Sequence, residues 1–206
     1  MKVLLVNGSP HEFGCTHRAL AEIQNTLREE NVDSEILWLG REPLGGCIAC
    51  GGCRHNDRCI YDDILNKSRE KFREADGFVF GSPVYYAHPS GRLLSVLDRL
   101  FFSGNAAFKG KPGAAVVSAR RAGTTASIDV INKYFSIAQM PIVGSSYWNM
   151  VHGANAQEVY QDEEGMRTMR VLAHNMAYFL RCQEAGRAAG VPLPRAEEPK
   201  RTNFIR

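Results

Sequence analysis

Runs of apolar, β-prone residues alternate along the chain with segments of helical periodicity. The apolar runs lie at Val3–Asn7, Glu35–Leu39, Gly77–Gly81, Ala114–Ser118 and Pro141–Gly144. Apolar residues recur at helical spacing over Thr16–Glu30, Asp62–Glu74, Ser90–Phe102, Thr124–Ala138 and Asp162–Gly186. Strand and helix in strict alternation predict a parallel sheet with helices on both faces, a three-layer α/β sandwich. Phe78-Val79-Phe80 and Ala114-Ala115-Val116-Val117 are apolar without a break, as strands covered on both faces must be. Five such units predict the doubly wound strand order 2-1-3-4-5, in which ligands sit outside the carboxyl ends of the strands. Chemistry is therefore to be sought in the loops that follow each strand.

A length of 206 residues suffices for one well-buried core. The pattern divides it into a domain over residues 1–186, with a cysteine-rich insertion at 43–60, and an extended C-terminal arm at 187–206. Phe204-Ile205 make the arm's end too apolar for a purely solvated tail, which predicts that it docks on a second subunit. The net charge of +3 gives no reason to expect nucleic acid or a membrane surface as partner. No stretch approaches the roughly 20 apolar residues that cross a bilayer. Met1–Gly8 is too short an apolar run for a signal peptide, so a cytoplasmic location is expected. In a reducing compartment the six cysteines point to metal binding or redox chemistry more than to structural disulfides.

Three of the loops carry ligand-like chemistry. The first strand ends in Asn7-Gly8-Ser9-Pro10-His11-Glu12-Phe13-Gly14-Cys15-Thr16-His17, which supplies hydroxyls, glycines and unpaired N–H groups at a helix start, an anion site favoured by the helix dipole. The third strand runs into Gly81-Ser82-Pro83-Val84-Tyr85-Tyr86, whose aromatic pair suits a flat ring system. The fourth ends in Ser118-Ala119-Arg120-Arg121-Ala122-Gly123-Thr124, with two cations and hydroxyls before a helix. Each loop alone reads equally well as an ordinary capped turn, a packed tyrosine pair or a solvated basic bend. The fold, however, brings all three to one edge of the sheet.

Asn7-Gly8-Ser9-Pro10, the stretch from Ala75 to Tyr85 and Leu97-Asp98-Arg99 resemble the NADPH-dependent FMN reductase family of the flavodoxin-like superfamily. The resemblance covers about residues 1–185 and is strongest in the first 120. It implies a flavodoxin-like sandwich that binds FMN and takes electrons from NAD(P)H. The FMN phosphate would lie at Ser9, Gly14, Cys15, Thr16 and His17. The flavin ring would be met by Ser82, Pro83, Val84, Tyr85 and Tyr86, and by Ser118, Ala119, Arg120, Arg121, Gly123 and Thr124. His11 departs from the arginine often found at its position. The resemblance also implies a homodimer or homotetramer with flavin sites near the interface.

The most distinctive segment is Cys47-Ile48-Ala49-Cys50-Gly51-Gly52-Cys53, with Cys59 beyond it. Because it follows the second strand, it is expected on the same edge as the flavin loops. Three thiolates at successive two-residue spacings can wrap one face of a cubane, and the fourth cysteine supplies the last corner. Zinc is the main rival, though its four-cysteine sites usually use two separated Cys-x-x-Cys knuckles. A redox-active thiol pair is a third reading of the same spacing. The compact pattern and the following Asp62-Asp63 resemble the iron-sulfur flavoproteins, a branch of the same family, which implies a [4Fe–4S] cluster on Cys47, Cys50, Cys53 and Cys59. Cys15 and Cys182 are left outside that set.

After the last apolar run, Trp148, Asn149 and His152 suit either a substrate pocket or a subunit contact. The expected activity is FMN-dependent transfer of electrons from NAD(P)H, through the cluster, to a small molecule or a protein. The flavin carries such chemistry, so no catalytic side chain is demanded. The alternatives are an electron carrier fed by a redox protein such as ferredoxin, a flavoenzyme oxidising one metabolite, and a zinc- or thiol-based regulatory module.

Overall fold

Alternating side chains on the first strand already explain both layers of the core. On β1 (Lys2–Asn7), Val3 and Leu5 pack on one face of the sheet, Leu4 and Val6 on the other, and all four are fully buried. The computed structural model describes every residue except 57, 105, 106, 196, 199, 201, 205 and 206. After β1 come α1 (Cys15–Glu29), β2 (Asp33–Trp38) and the short helices α2 (Cys53–Asn56), α3 (Ile64–Lys67) and α4 (Arg69–Glu74). Then follow β3 (Gly77–Tyr85), β4 (His88–Pro89), α5 (Gly91–Gly104), β5 (Gly113–Ala119) and α6 (Thr124–Ile137). The chain continues through β6 (Met150–His152), α7 (Ala156–Gln161) and α8 (Glu163–Ala188).

The parallel sheet has the order β2-β1-β3-β5-β6, and β4 is a short antiparallel hairpin partner of β3. Counted without that hairpin, this is the expected doubly wound arrangement. One face carries α1, α7 and α8, where Ala19, Leu20 and Ile23 meet Leu172 and Met176 over Val79 and Val116. The other face carries α5 and α6, with Leu93, Leu97, Ile131 and Phe135 over Phe78, Phe80 and Val117. Phe78 and Phe80 stack on each other and on Phe72 and Phe135, and meet Phe108 and Phe101 at steeper angles, with centroid separations of 5.0–6.4 Å. Each buried ring stabilises the fold by about 1.5–3 kcal/mol. Among the described residues no helix is long and apolar enough to cross a membrane.

Three expected elements are corrected. Pro141–Gly144 is not a strand. It touches β5 only through an isolated bridge between Gly113 and Ile142, leaves the sheet, and the edge strand resumes at Met150–His152. Pro141 has no N–H for a ladder, and its carbonyl accepts from Gly113 N instead. The helix expected over Asp62–Glu74 is two short helices that meet at Ser68. Asp63 caps the first of them by accepting from Leu65 N at 3.1 Å. The last helix runs two residues past Gly186 to Ala188. In the C-terminal arm, Phe204 is exposed, while Ile205 lies outside the described residues.

Candidate functional site

The loop after β1 is built around a buried asparagine. Asn7 Oδ1 accepts from Ser9 N at 3.0 Å and Nδ2 donates to the Glu12 carbonyl at 3.0 Å, which folds the loop back on itself. Ser9 Oγ accepts from His11 N, and Trp38 at the end of β2 donates its indole N–H to the Ser9 carbonyl at 2.9 Å. The chain enters α1 through Gly14, which offers no side-chain cap to the first turn of Cys15, Thr16 and His17. The positive end of that helix is thus left for a ligand anion. Burial, reinforced by Arg18 and opposed by Glu12, pushes the His17 imidazole below its ordinary value. Burial chiefly raises the Cys15 thiol, and its Sγ lies 3.6 Å from the Gly153 carbonyl as a donor. Cys15 is a packed thiol at this turn.

The three loops meet. Thr16 and Ser118 join hydroxyl to hydroxyl at 2.9 Å, so one O–H of the pair remains for a ligand. Gly8 N donates to the Gly81 carbonyl, Ser90 Oγ donates to the Gly8 carbonyl, and Ser90 N donates to Ser82 Oγ. Pro83 and Val84 are partly buried, Tyr85 is half-exposed and Tyr86 fully exposed. Tyr86 and Ala87 both hold positive φ, at 51° and 60°, forming the tight tip that turns β3 into β4. Two adjacent left-handed residues without glycine store roughly 1–2 kcal/mol each. The tip rests on Gly123, where an added Cβ would lie 2.5 Å from Ala87 Cα. Gly123 also has φ +96° and precedes α6, while Ala119 ends β5, Thr124 is buried, and Arg120 and Arg121 are exposed.

The cysteine segment does not stay at this edge. Arg92, near the start of α5, donates to the carbonyls of Arg41 and Glu42, and Arg99, farther along α5, donates to that of Gly45 at 3.1 Å. The segment therefore runs back along α5, and Arg99 stands about 12 Å from Gly91 at 1.5 Å per helical residue. Here Cys47, Cys50, Cys53 and Cys59 line one recess with Tyr61, Arg99 and Ser103. Ile48, Ile60 and Phe102 form its exposed apolar rim. Ala49 and Gly51 hold positive φ, at 53° and 72°, and turn the chain between the thiols. The expectation that the cysteines share the flavin edge is thus corrected: the segment starts there and is carried away by two arginine anchors.

Arg99 is the anchor of the recess. It is buried, and its guanidinium binds Asp63 with two parallel bonds of 2.7 and 2.8 Å. Its other donors reach Cys59 Sγ at 3.1 Å from Nε, the Gly45 carbonyl, and the Tyr61 carbonyl at 3.4 Å. Burial works against the ionised Asp63, but the bonds from Arg99 and Leu65 N outweigh it and hold the carboxyl below its ordinary value. Asn66 adds a second tie, exchanging bonds with both Cys59 N and the Cys59 carbonyl. Among the described residues no three His, Cys, Asp or Glu side chains are arranged to hold a metal ion. The chemistry of the donor set nevertheless fits a soft metal or cluster: four thiols round one recess, with a permanent cation hydrogen-bonded to one sulfur.

Sequence reasoning found the loops but missed what holds them. Asn7, Ser90, Arg99 and Asp63 entered it only inside motifs or element ranges, and Trp38 and Arg92 not by name. The usable signal for Arg99 was an arginine set among Leu93, Val96, Leu97, Leu100 and Phe101 on the buried stripe of an amphipathic helix.

The sequence profile of the NADPH-dependent FMN reductase family matches residues 1–155. An iron-sulfur flavoprotein of Methanocaldococcus jannaschii is 30% identical over 189 residues, covering 86% of this chain and 96% of that protein. An iron-sulfur flavoprotein of Methanosarcina thermophila is 30% identical over 185 residues, covering 87% and 95%. Among solved structures, a flavodoxin from the domain Archaea superposes with a TM-score of 0.61 at 17% identity, covering 88% of this chain and 99% of that one.

Proposed function

Because the chain belongs to the NADPH-dependent FMN reductase family and is an FMN oxidoreductase, we propose that it takes electrons from NAD(P)H and passes them on through a [4Fe–4S] cluster held by Cys47, Cys50, Cys53 and Cys59. The observation that carries this reading is the gathering of the four thiols round one recess, anchored by a buried arginine, in a chain with a flavin-family scaffold. When bound, FMN supplies hydride acceptance and a cluster supplies one-electron exchange.

The side chains of this protein bind and orient. The open first turn of α1, with Ser9 and the spare hydroxyl of the Thr16–Ser118 pair, holds the FMN phosphate. His17, in the same turn, adds a ring N–H as a further donor. The β3–β4 tip from Pro83 to Tyr86 and the turn from Ala119 to Thr124 present backbone groups and the exposed rings of Tyr85 and Tyr86 to the ring edge. Ile48, Ile60 and Phe102 give the cysteine recess an apolar rim. Two copies or four in the assembly, and a small-molecule or protein acceptor, complete the reading.

Anaerobic mixing with NADPH or NADH tests it. The flavin absorbance is expected to bleach within milliseconds to seconds. Bleaching only by a reduced redox protein, with neither nicotinamide effective, assigns the chain to electron carriage instead.

A further inference from the structure

Arg99 has five N–H donors and all five are engaged. Four go to oxygens, those of Asp63, Gly45 and Tyr61. The fifth, on Nε, goes to Cys59 Sγ at 3.1 Å. A neutral thiol is a weak acceptor, so a buried guanidinium gains little by directing a donor at one. A metal-bound sulfur is a thiolate, and there the same N–H makes a charge-assisted bond. The remaining contacts rigidify the neighbourhood, since Asp63, Tyr61 and Gly45 lie on both sides of the four cysteines in the chain and Arg99 clamps them together. Cys47 and Cys50, by contrast, are exposed.

We propose that Arg99 is a positioning residue of the cysteine site: it fixes Cys59 as the pre-set corner on which the cluster is built, and its Nε–H···Sγ bond raises the reduction potential of that cluster. The proposal rests on the iron–sulfur reading of the recess. Its physical basis is the sign of the charge change. Reduction adds one negative charge to the cluster and its thiolates, and a donor aimed at sulfur stabilises the reduced form more than the oxidised one. Asp63 neutralises part of the guanidinium charge, so the directed N–H supplies most of the effect and the carboxylate tempers it.

The test uses the full chain purified without oxygen, with iron, acid-labile sulfide and FMN measured per chain and the cluster potential followed by EPR-monitored redox titration. Arg99→Gln is expected to lower the midpoint potential by about tenfold in the one-electron equilibrium constant, which is about 59 mV. Asp63→Asn keeps an acceptor for Arg99 but removes the tempering charge, so its potential is expected to rise. Opposite shifts separate an electrostatic role from simple loosening, which would move both variants the same way. Should Arg99→Gln fail to fold, as shown by lost FMN, Arg99→Lys replaces it: the charge stays, the Nε donor goes, and a smaller fall is expected. A loaded Arg99→Gln or Arg99→Lys cluster at the wild-type potential, or shifts of the same sign for Arg99 and Asp63 variants, overturns the proposal and leaves the cluster standing. Wild-type protein with FMN but no iron or sulfide overturns the iron–sulfur reading and this proposal together.

Discussion

Replacing Cys50 by serine is expected to strip iron and sulfide from the chain while leaving its FMN and its fold in place. Cys50 is exposed and lies outside any helix or strand. Surface changes of that kind usually shift stability by no more than about 0.5 kcal/mol. A fall in iron therefore reports ligation and not unfolding. Serine is a hard, poorly ionised donor where a soft thiolate is required, so iron and sulfide per chain should fall by more than half. Cys182→Ser, exposed on α8 on the opposite face of the sheet from α5, is the matched control and should leave both unchanged. Unaltered iron and sulfide in Cys50→Ser, or equal losses in the two variants, would remove Cys50 from the site.

The second large effect falls on the flavin edge. Gly123→Ala is expected to weaken FMN binding by more than tenfold and to lower the melting temperature. The backbone at Gly123 has φ +96°, which an L side chain adopts at a cost of about 1–2 kcal/mol. The new Cβ would also lie 2.5 Å from Ala87 Cα and 2.9 Å from Val84 Cγ1. The first is a backbone atom of a tip that is itself strained, so the tip must move. Overpacking of this sort costs about 1–3 kcal/mol. Together these come to roughly 3 kcal/mol, and at about 2–4 °C per kcal/mol for a domain of this size the midpoint falls by roughly 6–12 °C. The displaced segment is Val84–Ala87, half of the proposed ring contact, which is why affinity should fall along with stability. Gly144→Ala meets nothing within 4 Å at ordinary φ and should change neither. A Gly123→Ala protein with unchanged FMN affinity would separate this turn from the flavin site.

These two predictions rest on different kinds of legibility. The strands β1, β3 and β5 were readable because both faces of each are buried, which leaves an unbroken apolar run in the sequence. Pro141–Gly144 has the same apolar look, but it opens on a proline without an N–H and meets β5 only at an isolated bridge, and the true edge strand is only Met150–His152. The loops after β1, β3 and β5 drew notice through their glycines, hydroxyls and the Tyr85-Tyr86 pair, and the fold brings them to one edge. The demand for glycine at position 123 was not readable, since it is imposed by Ala87 across the space between two loops. The cysteine spacing made the segment a candidate soft-metal site, yet the segment's position depends on where Arg92 and Arg99 take hold of the backbone, a tertiary fact. Asp63 looked like part of an acidic pair. In the fold it is the counter-charge that makes a buried arginine tolerable beside sulfur.

The central claim is that a flavin scaffold of the FMN reductase family carries an iron–sulfur cluster on Cys47, Cys50, Cys53 and Cys59. Its most direct test is the visible spectrum of the anaerobically purified chain, with iron, acid-labile sulfide and zinc assayed on the same sample. The account predicts flavin bands over a broad absorbance that fades on reduction, with about four iron and four sulfide per chain. Flavin bands over a clear baseline, with zinc or no metal in place of iron and sulfide, would contradict it.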